Sequence, residues 1–278
     1  MHALEAGRRE AALVALLGLS GERADVFRTL VARPGFTYRD AIRILSQDEE
    51  GTYFIYRFSD PTFIAAEALL RAIGTHAWAV EGRVIDLCGG SGHLTRVLAS
   101  LPREGRTPSA VVNADIAFWK LWLAKRFTAP SCEPVCCDAN SPLPFPRDAF
   151  SLVVLPDAFP YIWQKRLLTE EMMRLAGSRG IVVMPHLHSA LGDNFTAGMP
   201  LTPQAYLNLF APLAPRIFSD ARLFDDAMNR AVVDLTASHT ASSIGNEPAI
   251  ALVATTREEV YARYDVQPSG RVSGELRV

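Results

Sequence analysis

Cysteine, lysine and long apolar runs are all scarce in this sequence, and each scarcity excludes something. Among its 278 residues are four cysteines, Cys88, Cys132, Cys136 and Cys137, too few to staple a chain that is long enough to bury a core of its own. A reduced compartment is expected. A zinc site from Cys132, Cys136 and Cys137 would need a fourth ligand, and adjacent cysteines rarely aim both sulfurs at one tetrahedral ion, so the sequence assigns no metal there. Lysine is confined to Lys120, Lys125 and Lys165; arginine supplies the rest of the 28 basic residues, which face 30 acidic ones for a net charge of −2. A chain so close to neutral has no general electrostatic footprint for nucleic acid. The apolar run Ala11–Leu19 follows Arg8 and Arg9 and imitates a secretory leader, but Glu5 and Glu10 precede it and Ser20-Gly21-Glu22-Arg23 follows in place of a cleavage site. It is also far shorter than the ~20 residues of a membrane span. No membrane association is expected, and a cytoplasmic location is the default.

What is present is a globular composition, 49% hydrophobic and 21% charged. Residues 1–78 read as a helical cap. Leu13, Leu16 and Leu17, then Val26, Leu30 and Val31, recur at helical spacing. Pro34-Gly35 breaks the second helix, Thr37 with Asp40 forms a capping box for a third, and Asp60-Pro61 opens a fourth that Gly74 can close. Tyr53-Phe54-Ile55-Tyr56-Arg57-Phe58 reads as a strand or extended segment, either a packing strip or a lid over a pocket.

From residue 83 short apolar runs alternate with helical stretches. They are Val84–Leu87, Ala110–Ala114, Pro134–Cys137, Leu152–Leu155, Ile181–Met184, Ala231–Leu235 and Ile250–Ala254. Strands alternating with helices imply right-handed crossovers and a mostly parallel sheet. Between the last two runs, Thr236–Ala249 is rich in turn residues and has no room for a helical crossover, so they are expected to pair as an antiparallel edge hairpin. The expected fold is α/β, a Rossmann-like seven-stranded, mostly parallel sheet with that hairpin and the helical cap. Its divisions are a cap over 1–78, a core over 79–257 and a tail over 258–278 that ends on the strand-like Gly274–Val278.

The most informative segment is Val84-Ile85-Asp86-Leu87-Cys88-Gly89-Gly90-Ser91-Gly92-His93-Leu94: a buried strand, a glycine-rich turn and a helix. It resembles motif I of class I S-adenosylmethionine-dependent methyltransferases, in which a strand ends in an acid and a Gly-x-Gly turn lets the backbone approach the cofactor. A dinucleotide fold competes for such a turn. Its third glycine would fall on Thr95, and an acid before the turn sits poorly against a pyrophosphate at a helix N-terminus. The resemblance continues through Leu143-Pro144-Phe145 and Phe150-Ser151-Leu152-Val153-Val154 to Gly180-Ile181-Val182-Val183-Met184, covering roughly residues 80–257. Cys88 stands where the family has its first glycine, and Ser151 where it commonly has Asp.

The resemblance implies S-adenosyl-L-methionine as cofactor, with Gly89, Gly90 and Gly92 in the turn and Asp86 organising the loop and the cofactor's cationic end. It places Asp115 on the ribose hydroxyls, Ile116 beside the adenine, Asp138 on the adenine amino group and Ala139 next to it. Three acids at successive strand ends converge on one crevice, where open α/β sheets bind ligands.

For the acceptor, Pro156-Asp157-Ala158-Phe159-Pro160-Tyr161 is neither the [DN]-P-P-[YFW] pattern of adenine amino-methyltransferases nor the Pro-Cys of RNA cytosine methyltransferases. A small-molecule acceptor is expected, methylated at oxygen by in-line displacement, with nitrogen or carbon as other targets. Candidate bases are His186 and His188 after the fifth strand, with Asp157 competing. The two histidines with Asp193 also have the makings of a metal set, and Tyr53, Tyr56, Phe159, Tyr161 and Trp163 of a pocket wall. The cap is expected to close over the acceptor or to mediate a homodimer. A cofactor-binding module without methyl transfer is the alternative from another class.

Overall fold

Apolar residues on both sides of a strand require that both faces of its sheet be covered. In the computed structural model of the protein, which describes residues 2–77, 83–101 and 111–266, Val84, Leu152, Val154, Ile181, Val183 and Val253 fall in one buried cluster. Their neighbours Ile85, Val153, Val182, Met184 and Leu252 fall in another. Between the clusters lies a sheet of β1 (Arg83–Leu87), β2 (Val112–Asp115), β3 (Glu133–Cys136), β4 (Phe150–Val154), β5 (Ile181–His188), β6 (Pro215–Ser219) and β8 (Ala249–Ala254). The strand order is β3-β2-β1-β4-β5-β8-β6. The first five strands pair in parallel, and β8 runs antiparallel to both its neighbours. The order reverses between β1 and β4, the switch point at which such sheets open a crevice.

The expected fold class holds, but the members of its antiparallel edge differ. Val232–Asp234 is β7, which leaves the main sheet to pair with β9 (Arg263–Asp265), and the place beside β8 belongs to β6. Pro215-Arg216-Ile217-Phe218-Ser219 opens on proline and has only two large apolar residues, a pattern suited to an edge strand. The helix α10 (Asp220–Arg230) separates β6 from β7, so β6 and β8 form no hairpin. The segment read as the start of a tail is also packed: Val260, Tyr261 and Val266 are buried in the core. Ala110 and Gly274–Val278 lie outside the described residues.

Tyr53–Phe58 is helical, not extended. Asp48 caps α4 (Glu49–Tyr56) by accepting the Gly51 N–H at 3.1 Å, and a 3₁₀ turn, Arg57–Ser59, follows. The cap and the packing of Phe54 against Trp119 and His93 override the β-propensity of the aromatic run. The predicted capping box at Thr37–Asp40 opens α3 (Tyr38–Leu45). Asp60 precedes α5 (Pro61–Ala77), accepting the Thr62 N–H at 2.8 Å. Gly74 lies inside α5, where a β-carbon would come within 2.5 Å of Leu101.

The N-terminal helices divide between two jobs. Phe63, Leu69, Leu70 and Ile73 place α5 directly on the sheet. In contrast, α1 (His2–Leu16), α2 (Gly21–Val31) and α3 gather around Phe27 and Ile44 and dock on Trp119 and Trp122 of α7 (Phe118–Leu123). α4 sits over the glycine turn, and its Phe54 ring would lie 3.8 Å from a β-carbon built at Gly90.

Candidate active site

The acid that ends β1 is fully buried. Thr95 Oγ1 donates to Asp86 Oδ2 at 2.6 Å, and Oδ1 has no hydrogen-bond partner. Burial pushes the Asp86 carboxyl up to about 7, with the Thr95 hydrogen bond opposing and the charge of Asp115 assisting. A buried carboxylate with one unpaired oxygen is unfavourable until a donor or cation reaches it.

Past Leu87 the chain turns sharply, with Cys88, Gly90 and Gly92 at φ of +54°, +54° and +84°. This left-handed region suits glycine and strains Cys88. A β-carbon at Gly89 would lie 2.5 Å from Asn113 Oδ1 and 2.6 Å from Asp86 Oδ2, so glycine alone fits between them. Asp115 anchors the turn: Oδ2 accepts the Gly90 N–H at 3.0 Å and Oδ1 the Ala117 N–H at 2.8 Å. Each oxygen retains acceptor capacity for a further donor. Asn113 Nδ2 donates to the Gly90 carbonyl at 3.2 Å, leaving its buried Oδ1 unpaired.

Ile116 is 65% exposed, and the Cys136 thiol donates to its carbonyl at 3.4 Å. Asp138 Oδ1 accepts from the Asn140 backbone and side chain at 2.8 and 3.2 Å. Ala139 is buried in the apolar cluster on one sheet face. Registration brings the acids to one end of the sheet, since Asp115 pairs with Cys136, two residues before Asp138, and Asp86 pairs with Val154 of β4.

Three residues beyond Val154 the other predicted group begins. Asp157 Oδ1 accepts from His188 Nε2 at 3.1 Å, and Oδ2 accepts from the Tyr53 hydroxyl at 3.3 Å. His186 Nδ1 donates to Asp220 Oδ2 at 2.8 Å, and the two imidazoles meet edge to face with centroids 5.0 Å apart. β5 continues through both histidines with a bulge: Met184 faces Leu252 but Leu187 faces Ile250, and His186 takes φ +55°. The extra residue re-aims the strand's side chains at the rim of the crevice. The Tyr206 hydroxyl donates to the His188 carbonyl at 2.9 Å and steadies the strand end.

Electrostatics follow these contacts. Burial alone would raise Asp157, but the His188 hydrogen bond and the nearby His186 and Arg57 charges outweigh it and hold the carboxyl below its usual range. Burial alone would lower His186, yet the hydrogen bond and charge of Asp220 outweigh that and raise it above the ordinary imidazole value. Each imidazole donates to a carboxylate through one nitrogen, which leaves the other nitrogen as a lone pair.

α4 bridges the two halves. Tyr53 reaches Asp157, while the next residue, Phe54, stacks on His93 and accepts a hydrogen bond from His93 Nε2 on its carbonyl at 3.1 Å. That donation leaves His93 Nδ1 to accept from Ser91 Oγ at 3.3 Å, and Tyr38 of α3 contacts Ser91 Oγ at 2.9 Å. Burial, with Arg57 adding, pushes His93 down to about 3, so this latch stays neutral.

Sequence reasoning missed Asn113, Thr95 and Asp220. Asp220 follows β6, and recognising that strand would have exposed it as another acid at a strand end. Of the other predicted residues, Trp163 is 79% exposed, and Asp193 is outside the cluster. Among the described residues the cysteines do not assemble a metal-capable group, whereas Asp157, His186 and His188 do.

A parallel sheet with its switch point beside a left-handed glycine turn, and acids ending β1 and β2, is a Rossmann-like architecture with a ligand crevice at the switch point. Residues 85–184 match the family described as a methyltransferase domain. Similar solved structures include an S-adenosylmethionine-dependent methyltransferase from Aquifex aeolicus (12% identity, 72% of this chain and 95% of that chain, TM-score 0.48). The YcgJ protein from Bacillus subtilis gives 15% identity over 69% of this chain and 99% of that chain, TM-score 0.46. A methyltransferase from Mesorhizobium loti gives 14% over 62% and 90%, TM-score 0.45. No curated protein matches the sequence.

The residues present fit S-adenosylmethionine as a cofactor. The unpaired Asp86 oxygen suits a cationic end, and Gly90, at φ +54° with no atom nearer than 3.8 Å to a β-carbon built on it, leaves the main chain open to close approach.

Proposed function

We propose that the protein transfers the methyl group of S-adenosylmethionine to a hydroxyl of a small-molecule acceptor. The observation that carries this reading is the pair of imidazole–carboxylate couples, His188–Asp157 and His186–Asp220, beside the switch point. A hydroxyl must lose its proton to become a good acceptor, and imidazole takes protons near neutral pH.

The bound cofactor supplies an electrophilic methyl on a cationic sulfur. Asp86 holds its ammonium end, Asp115 its ribose hydroxyls, and Gly89, Gly90 and Gly92 admit it against the main chain. Ile116, Asp138 and Ala139 border the adenine. His186 and His188 would receive the acceptor hydroxyl, and the Nε2 lone pair of His186 would take its proton when the hydroxyl accepts the methyl group that the bound cofactor supplies. Asp220 stabilises the resulting imidazolium, and Asp157 holds His188 in one orientation. Tyr53 and Phe54 lay α4 across both halves, which supports a small acceptor over a base within a folded nucleic acid and assigns the cap a covering role.

The test is transfer of labelled methyl from S-adenosylmethionine to a panel of hydroxylated small molecules, with RNA and protein as parallel acceptors. Label on the oxygen of a small molecule is expected. Label in the polymers alone, or none anywhere despite cofactor binding, refutes the reading.

A further inference from the structure

We propose that Asp157, His186 and His188 form a site for one divalent transition-metal ion of the zinc, cobalt or manganese kind, which holds the acceptor's oxygen. One ligand atom from each residue lies within 4.8 Å of the other two, and no other such group of three occurs among the described residues. The inference rests on the proposed O-methylation and specifies how the cluster handles the hydroxyl.

Ligand spacing is the first support. His188 Nε2 and Asp157 Oδ1 are 3.1 Å apart, which is also the separation of two ligands sharing an ion at bond lengths of about 2.0–2.2 Å. Orientation is the second. His186 donates Nδ1–H to Asp220 at 2.8 Å, the carboxylate–histidine arrangement that turns the opposite nitrogen into a well-aimed ligand. Backbone geometry is the third: Asp157 and His186 both hold left-handed conformations, φ +56° and +55°, an unfavourable choice for non-glycine residues that marks places where surroundings dictate side-chain direction.

The donor set indicates the class of ion. Two imidazoles and one carboxylate suit borderline transition metals and not the all-oxygen sets of magnesium or calcium. Three protein ligands leave open positions, as in catalytic sites. Two carboxylates, Asp157 and Asp220, face the cluster, and the Arg57 guanidinium, whose charge reaches it, pairs with Asp60 at 3.5 Å. With the ion bound, the acceptor oxygen occupies an open position and its proton passes to water, because the cation favours the deprotonated oxygen. His186 is then a ligand and not the proton's destination.

The test is titration of the full chain, stripped with a chelator, with Co²⁺, read by visible d–d absorption, with S-adenosylmethionine affinity measured on the same samples. One equivalent of Co²⁺ is expected to bind. Asp220→Asn is expected to weaken it by roughly 10–100-fold and His186→Ala and Asp157→Asn, which remove ligands outright, by more than that, all with cofactor affinity unchanged, and Cys136→Ser to have no effect. If His186→Ala loses cofactor affinity too, the near-isosteric Asp157→Asn decides. A wild-type chain that takes up no Co²⁺, or whose uptake persists in Asp157→Asn, overturns the site. O-methylation at full rate in chelator, with no metal bound, overturns the metal and leaves the proposed function standing. Stoichiometric Co²⁺ lost in the variants, with no O-methylation of any acceptor, upholds the site and refutes the function.

Discussion

The two halves of the crevice are held by different means. In the proposed cofactor half main chain does much of the shaping: the Gly90 and Ala117 N–H groups bind Asp115, and Gly89 stands where any side chain would collide with Asn113 and Asp86. In the proposed acceptor half the functional groups are held chiefly by one another, Tyr53 with Asp157, Asp157 with His188, and His186 with Asp220. A backbone-built site depends on conformation and close approach, and one built from side chains depends on each residue's chemistry. Substitutions in the first half should therefore appear in binding, and in the second in turnover.

The largest effect expected is on turnover. His186→Ala should lower kcat about 10²–10⁴-fold, while S-adenosylmethionine affinity by calorimetry stays at the wild-type value; a matching loss of affinity would erase the division between the halves. Next comes Asp115→Ala, which removes charge-assisted hydrogen bonds of about 1.5–3 kcal/mol and should weaken the cofactor roughly 10–150-fold. Unchanged affinity would refute the ribose assignment.

A pH experiment sharpens the cofactor half further. Because the fold raises the Asp86 carboxyl to about 7, it favours the protonated form. That contribution to stability is complete below the ordinary carboxyl value near 4 and disappears as pH rises through about 7. Denaturant melts of cofactor-free protein should show this fall, and Asp86→Asn should flatten it. Cofactor binding should strengthen over the same range, as the ionised carboxylate becomes available to a cation. Parallel pH profiles for wild type and Asp86→Asn would contradict the assignment. The smallest effect belongs to Tyr53→Phe: losing one hydrogen bond to Asp157, about 0.5–1.5 kcal/mol, should reduce kcat/KM roughly 2–10-fold with cofactor affinity intact.

Legibility in the sequence follows the same division. Asp86, the glycine turn and Asp115 could be read because a strand, a turn and a strand end are local patterns. β6 could not, since Pro215-Arg216-Ile217-Phe218-Ser219 carries too few apolar residues to stand out, and Asp220 was lost with it. Tyr53-Phe54-Ile55-Tyr56 was misread because aromatic composition favours strands, whereas a cap at Asp48 and the apolar surface of Trp119 favour a helix. Asp193 was the nearer candidate in sequence to join His186 and His188, but β4 lies beside β5 and delivers Asp157 instead.

The sequence by itself determined the α/β class, the parallel core and the glycine turn, because periodicity, glycine and terminal acids act over a few residues. Tertiary structure alone decided which strand closes the sheet edge, that α4 spans both halves, and that Tyr53, Asp157, His186, His188 and Asp220 share one cluster. Those contacts join residues far apart in the chain, and no local propensity encodes a partner that packing brings within 3 Å or so of a side chain.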